Sequence, residues 1–135
     1  MPTTPSFHFD SADALAYLAG ASDAAIDALD FGVIGFDAQG IVRRYNRFES
    51  AAAGLSPDRV KGHDLFSVVA PCMNNFMVAQ RFADASADGT TLDVTVPYVL
   101  TLRMLPTKVR LRLLAAPVTA QRFVLVQRTT RGATP

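Results

Sequence analysis

The stretch LDVTVPYVLTLRMLPTKVRLRLLAAPVTAQRFVLVQR, running from Leu92 to Arg128, carries three β-strand signals in succession, at residues 92–100, 107–116 and 122–128. Each run is rich in β-branched, leucine and aromatic residues, which suit a pleated, half-buried surface. In the middle run Lys108, Arg110 and Arg112 alternate with Val109, Leu111 and Leu113. A period of two puts the basic side chains on one face, expected to be wet, and the apolar ones against a core. Consecutive strands with short connections pair most simply as hairpins, so this part of the chain predicts an antiparallel sheet.

Moving toward the N-terminus, residues 31–37 and 41–45 are two further strand candidates around the turn Ala38-Gln39-Gly40, a β-hairpin signal. Helices are expected between this hairpin and the three later strands. Residues 46–53 form an alanine-containing helical stretch stopped by Gly54, and Ser56-Pro57 has the cap-then-proline order that opens another short helix. Phe76, Ala79, Phe82 and Ala83 repeat at helical spacing before Gly89 and predict the longest helix. Near the start, Ser11 is expected to cap a helix carrying Leu15 and Leu18, and Ser22 one carrying Ile26 and Leu29. The element order predicts an α+β fold: a central five-stranded antiparallel sheet with short helices on one face and an N-terminal helical cap. With 135 residues, a single domain is expected, divided into a cap (1–30), a core (31–128) and a fraying tail (129–135).

Composition narrows the function classes. Half of the residues are hydrophobic and 19% are charged, the profile of a packed globular protein. Thirteen basic and twelve acidic side chains give a net charge of +1, so neither nucleic acid nor an anionic membrane is an expected partner. No apolar run approaches the roughly 20 residues that span a bilayer, and the N-terminus lacks a signal-peptide pattern, so a cytoplasmic monomer is expected. The single cysteine, Cys72, forms no disulfide within the chain and excludes a multi-cysteine metal site.

Few residues stand out for chemistry. Pro71 directly precedes Cys72 in Val69-Ala70-Pro71-Cys72 and restricts the backbone before the thiol; a lone cysteine is, however, more often a small apolar filler. Tyr45 and Glu49 stand four apart and can reach one pocket, although a core tyrosine and a surface glutamate are the commoner fates. His8 and His63 have no companions at metal spacing. A Cys72–His63 thiol dyad lacks a third orienting residue, and the glycines show no phosphate-binding pattern.

Taken together, Leu29-Asp30-Phe31-Gly32-Val33-Ile34, Tyr45-Asn46 with Glu49, Val69-Ala70-Pro71-Cys72 and Pro106-Thr107-Lys108-Val109 resemble the photoactive yellow protein family, in order and across nearly the whole chain. The resemblance implies a PAS-like, non-enzymatic blue-light photoreceptor with p-coumaric acid (4-hydroxycinnamic acid) joined to Cys72 as a thioester. It makes Tyr45 and Glu49 the donors to the buried phenolate. It lines the ligand with Ile34, Ala53, Leu55, Phe66, Val69, Ala70, Pro71, Leu100, Leu102 and Met104, the last assisting thermal recovery. Light-driven isomerisation, proton transfer from Glu49 and partial unfolding would then signal to a downstream protein that the sequence does not identify. Three positions depart from the family's best-known pattern: Ala53 and Leu55 replace a threonine and an arginine beside the phenolate, and Leu102 replaces an aromatic residue. The competing readings are a PAS-like ligand-sensing or protein-interaction module in which Cys72 is structural, and a thiol-dependent enzyme.

Overall fold

Asp37 shapes the first hairpin. Its Oδ1 accepts the N–H groups of Gln39 and Ile41 at 2.9 and 3.0 Å, and its Oδ2 pairs with Arg43 at 2.9 Å. Gly40 closes the turn at φ 84°, where a side chain would be strained. This computed structural model describes residues 7–100 and 106–128. The hairpin joins β1 (Gly32–Phe36) to β2 (Val42–Tyr45), and β3 (Leu92–Leu100), β4 (Thr107–Ala116) and β5 (Thr119–Arg128) follow later in the chain. The five strands form one antiparallel sheet in the order β2-β1-β5-β4-β3. Strand β5 begins three residues before the expected start, because Ala116 already pairs with Thr119 across the turn.

Among the described residues five α-helices pack about the sheet: α1 (Ala14–Gly20), α2 (Asp23–Asp27), α3 (Arg47–Ala53), α4 (Pro57–Val60) and α5 (Ala79–Asp88). A π-helical turn (Leu65–Val69) and a 3-10 turn (Pro71–Met73) connect α4 to α5. Alternation along the strands gives the sheet two covered faces. On the front, Ile34, Phe36, Tyr45, Leu65, Phe82, Leu100, Leu111, Val124 and Val126 belong to one core cluster. On the back, Val33, Leu114, Phe123 and Leu125 pack with Phe9, Ala14, Leu18 and Ile26 of the N-terminal segment.

Several local expectations change. Ser22 caps α2, accepting the Ala25 N–H at 3.1 Å. Ser11 instead accepts the His8 N–H, and α1 starts at Ala14 after Asp13 in the left-handed region. Helix α5 starts at Ala79 rather than near Phe76, which is 79% exposed. The Asn75 Oδ1 accepts the N–H groups of Met77 and Val78 in the turn that precedes the helix. Arg112 is also not on a wet face. It is 7% exposed, pairs with Asp93, and donates to the carbonyls of Phe9 and Ser11. The expectations for Leu102, Met104 and the tail at 129–135 fall outside the described residues. Among the described residues no helix is long and apolar enough to cross a membrane.

Candidate functional site

Asn46 organises the site from below. It is 1% exposed and caps α3: its Oδ1 accepts the N–H groups of Glu49 and Val33, both at 3.0 Å. Its amide group donates to the carbonyls of Ile26 and Phe31, also at 3.0 Å. Every hydrogen-bonding direction of the amide is thus used, which fixes α3 against β1 and aims the first turn of α3 at the front of the sheet.

That first turn carries Glu49. Its side chain is 2% exposed and lies against Gly32, where any Cβ would fall 2.1 Å from Glu49 Oε1. Arg128, the last residue of β5, donates to both carboxylate oxygens, Nη1 to Oε1 at 2.6 Å and Nη2 to Oε2 at 3.0 Å. Two parallel charge-assisted bonds are the strong, bidentate form of this pair. Tyr45, opposite Ile34 at the end of β2, is 5% exposed in the front cluster. Burial, reinforced by the Glu49 carboxylate, holds its phenol well above its ordinary pKa, while Arg128 acts in the opposite sense.

Cys72 lies in the 3-10 turn, a free, half-buried thiol packed against the same front cluster. Its carbonyl is held from two sides, by the Tyr98 hydroxyl at 2.5 Å and by the Asn75 amide at 3.2 Å. Asn75 also donates to the Tyr98 oxygen at 2.6 Å. This small network determines where the turn presents the thiol.

The other expected lining residues are distributed along the front cluster. Ile34, Ala53, Ala70 and Leu100 are buried, and Leu55, Phe66 and Val69 are partly buried against the cluster. Pro71 is exposed beside Cys72. Phe66 stacks edge-on against Phe36 at 5.6 Å between ring centroids. Ala53, Leu55 and Val69, with Val60, Val68, Arg59 and His63, line a cleft of about 570 Å³, within the range of small-molecule pockets. His63 is exposed, and no hydrogen bond joins it to Cys72. Among the described residues, no group of three His, Cys, Asp or Glu is arranged to hold a metal ion.

Sequence reasoning missed Arg128, Gly32 and the Tyr98–Asn75 pair. Arg128 is 79 positions from Glu49, and an arginine ending a strand gives no local sign of its target. Gly32 stood within a quoted segment, but only the position of the Glu49 carboxylate shows what its missing Cβ permits.

Comparison with known proteins places these features in a family. The chain is 36% identical over 121 residues to the photoactive yellow protein of Halochromatium salexigens, covering 90% of this chain and 96% of the relative. Among solved structures it is similar to the photoactive yellow protein domain of the sensor histidine kinase Ppr from Rhodospirillum centenum. That match has a TM-score of 0.76 and 37% identity, and it covers 83% of this chain and 97% of the domain. The PAS domain of an HTR-like protein from Haloarcula marismortui, at 13% identity and TM-score 0.57 over 79% of this chain and 93% of that one, shares the PAS fold. No family model matches the sequence.

Proposed function

The chain belongs to the photoactive yellow protein family, and from that premise we propose that it is a blue-light photoreceptor carrying p-coumaric acid as a thioester on Cys72. The observation that supports this most is the shared front cluster: it carries the free thiol of Cys72 and the buried phenol of Tyr45, with the buried Glu49 in the helix that follows. A nucleophilic thiol, apolar side chains and a phenol drawn from one cluster are the groups that an aromatic acid held as a thioester calls for.

When bound, the ligand supplies visible absorption and a double bond that isomerises in light. The protein supplies the rest. Tyr45 donates its hydroxyl toward the anionic end, and Glu49 holds or releases a proton at a carboxylate oxygen. Ile34, Phe66, Val69, Ala70 and Leu100 exclude water from the conjugated part. Tyr98 and Asn75 orient the Cys72 turn through its carbonyl. Ala53 and Leu55 provide neither hydroxyl nor charge, so the network around the anion lacks a hydrogen bond worth about 1 kcal/mol, which tunes colour rather than attachment. Moving the negative charge onto the buried Glu49 carboxylate carries a desolvation cost of several kcal/mol, against which the Arg128 pair acts, in a domain whose stability is roughly 5–15 kcal/mol, and this couples proton release to partial unfolding. In this reading the protein works in the cytoplasm as a monomer acting on a further signalling protein.

The test is to mix purified protein with activated p-coumaric acid, then record intact mass and the visible spectrum before and after blue illumination. The expected result is added mass and a bleaching, recovering band in the wild type, with both lost in Cys72→Ala. The cleft lined by Ala53 and Leu55 favours a second reading, a PAS-like module that binds another apolar ligand. A wild type that gains no mass and no band would select it.

A further inference from the structure

Arg128 stands out because the expected network around the ligand contains no cation. Leu55 removes the expected surface arginine. Arg112, which is buried, is committed on the back of the sheet to Asp93 and the carbonyls of Phe9 and Ser11. Arg128 reaches the front cluster with its side chain only 17% exposed and both terminal nitrogens on Glu49. The titratable group facing this pair from β2 is Tyr45, which is electrostatically coupled to both partners.

Building on the photoreceptor reading, we infer that Arg128 is a shared cation, held by Glu49 while that carboxylate is ionised and released to the anionic oxygen of the ligand when Glu49 carries the proton. The charges balance. A phenol entering the site loses its proton to a Glu49 oxygen, so one O–H bond breaks as another forms. The negative charge moves from carboxylate to phenolate, and Arg128 neutralises whichever of the two holds it. The reverse transfer returns the charge to Glu49, where the two guanidinium N–H donors accommodate it. Arg128 therefore serves as a specificity residue for an anionic phenol and limits how far the newly charged carboxylate disrupts the core.

Two readouts test this role in wild type, Arg128→Gln and Arg128→Lys. The first is the denaturant midpoint of the apoprotein. Arg128→Gln is expected to lower it, and Arg128→Gln with Glu49→Gln to restore most of the loss; equal losses in the single and double variants would overturn the pairing on which the inference stands. The second is a dark pH titration of the visible band after loading, with intact mass recorded in parallel. Arg128→Gln is expected to gain the same mass but to titrate at least about one pH unit higher, a tenfold change in phenolate stability, with Arg128→Lys in between. Equal added mass with coincident titrations would overturn the inference while leaving the photoreceptor reading intact. A wild type that gains no mass would overturn that reading and this role together.

Discussion

Gly32 shows how one absent atom makes room for a buried carboxylate. Its backbone is ordinary extended strand, so the need for glycine comes from space: a Cβ would meet Glu49 Oε1 at 2.1 Å and Cδ at 3.1 Å. Glu49 has little freedom to retreat, because Asn46 holds its N–H and Arg128 holds its head. Gly32→Ala is therefore expected to destabilise the protein by about 1–3 kcal/mol, the range for overpacking a tight site, as measured by denaturant unfolding. In a Glu49→Ala background the same substitution should cost much less, since the clashing group is gone. Equal costs in both backgrounds would place the strain elsewhere. Glycine at this position is thus tied to the carboxylate of α3 rather than to backbone conformation.

At the scale of elements, the turn that carries Cys72 is held less by its own backbone than by β3. Its helical bonds are few, from Met73 N–H to Ala70 and from Asn74 N–H to Pro71, and a single 3-10 turn has little intrinsic stability. Tyr98 and Asn75 add hydrogen bonds to the Cys72 carbonyl. Tyr98→Phe is expected to cost about 1 kcal/mol and, more specifically, to speed amide exchange at Met73 and Asn74 without changing exchange in β4 and β5. Unchanged exchange at those two amides would show that the turn stands without β3. The elements also show what was legible in the sequence. Strands β3 and β4 match their expected bounds because their apolar runs are long and are flanked by Thr91 and Thr101 and by Pro106 and Pro117. Helix α5 starts later than its spacing suggests, with Phe76 in the turn before it and 79% exposed. As candidates, Cys72, Tyr45 and Glu49 were legible through the family motifs, and the front cluster carries Cys72 and Tyr45 together. Arg128 was not, since its contact depends on the β1–β5 pairing, which joins the first strand to the last and leaves no local pattern.

Across the whole molecule, β5 links two functions through its alternation. Val124, Val126 and Arg128 face the site, while Phe123 and Leu125 face the N-terminal segment. That segment is fastened by a second arginine. Arg112 bonds Asp93 at 2.8 and 2.9 Å and the carbonyls of Phe9 and Ser11 at 2.8 and 2.7 Å, and Arg110 adds an exposed pair with Asp10 and a contact over the Phe9 ring. The exposed pair contributes little, so Arg112 is the anchor. Replacing it by methionine keeps an apolar stem and removes the charged head, with an expected cost of about 1.5–3 kcal/mol from the lost charged hydrogen bonds. The loss should be local: amide exchange in α1 should rise, and a protease should cut near residues 7–13, while exchange in β1 and the Glu49–Arg128 side of the sheet stays as in wild type. Loosening throughout the chain would mean that the N-terminal segment and the site-bearing face unfold as one unit. Unchanged exchange in α1 would mean that Phe9, Ala14 and Leu18 hold the segment by apolar packing alone. The local outcome follows from the architecture, because Arg112 fastens the segment through two backbone carbonyls while the front cluster closes over the other face without it.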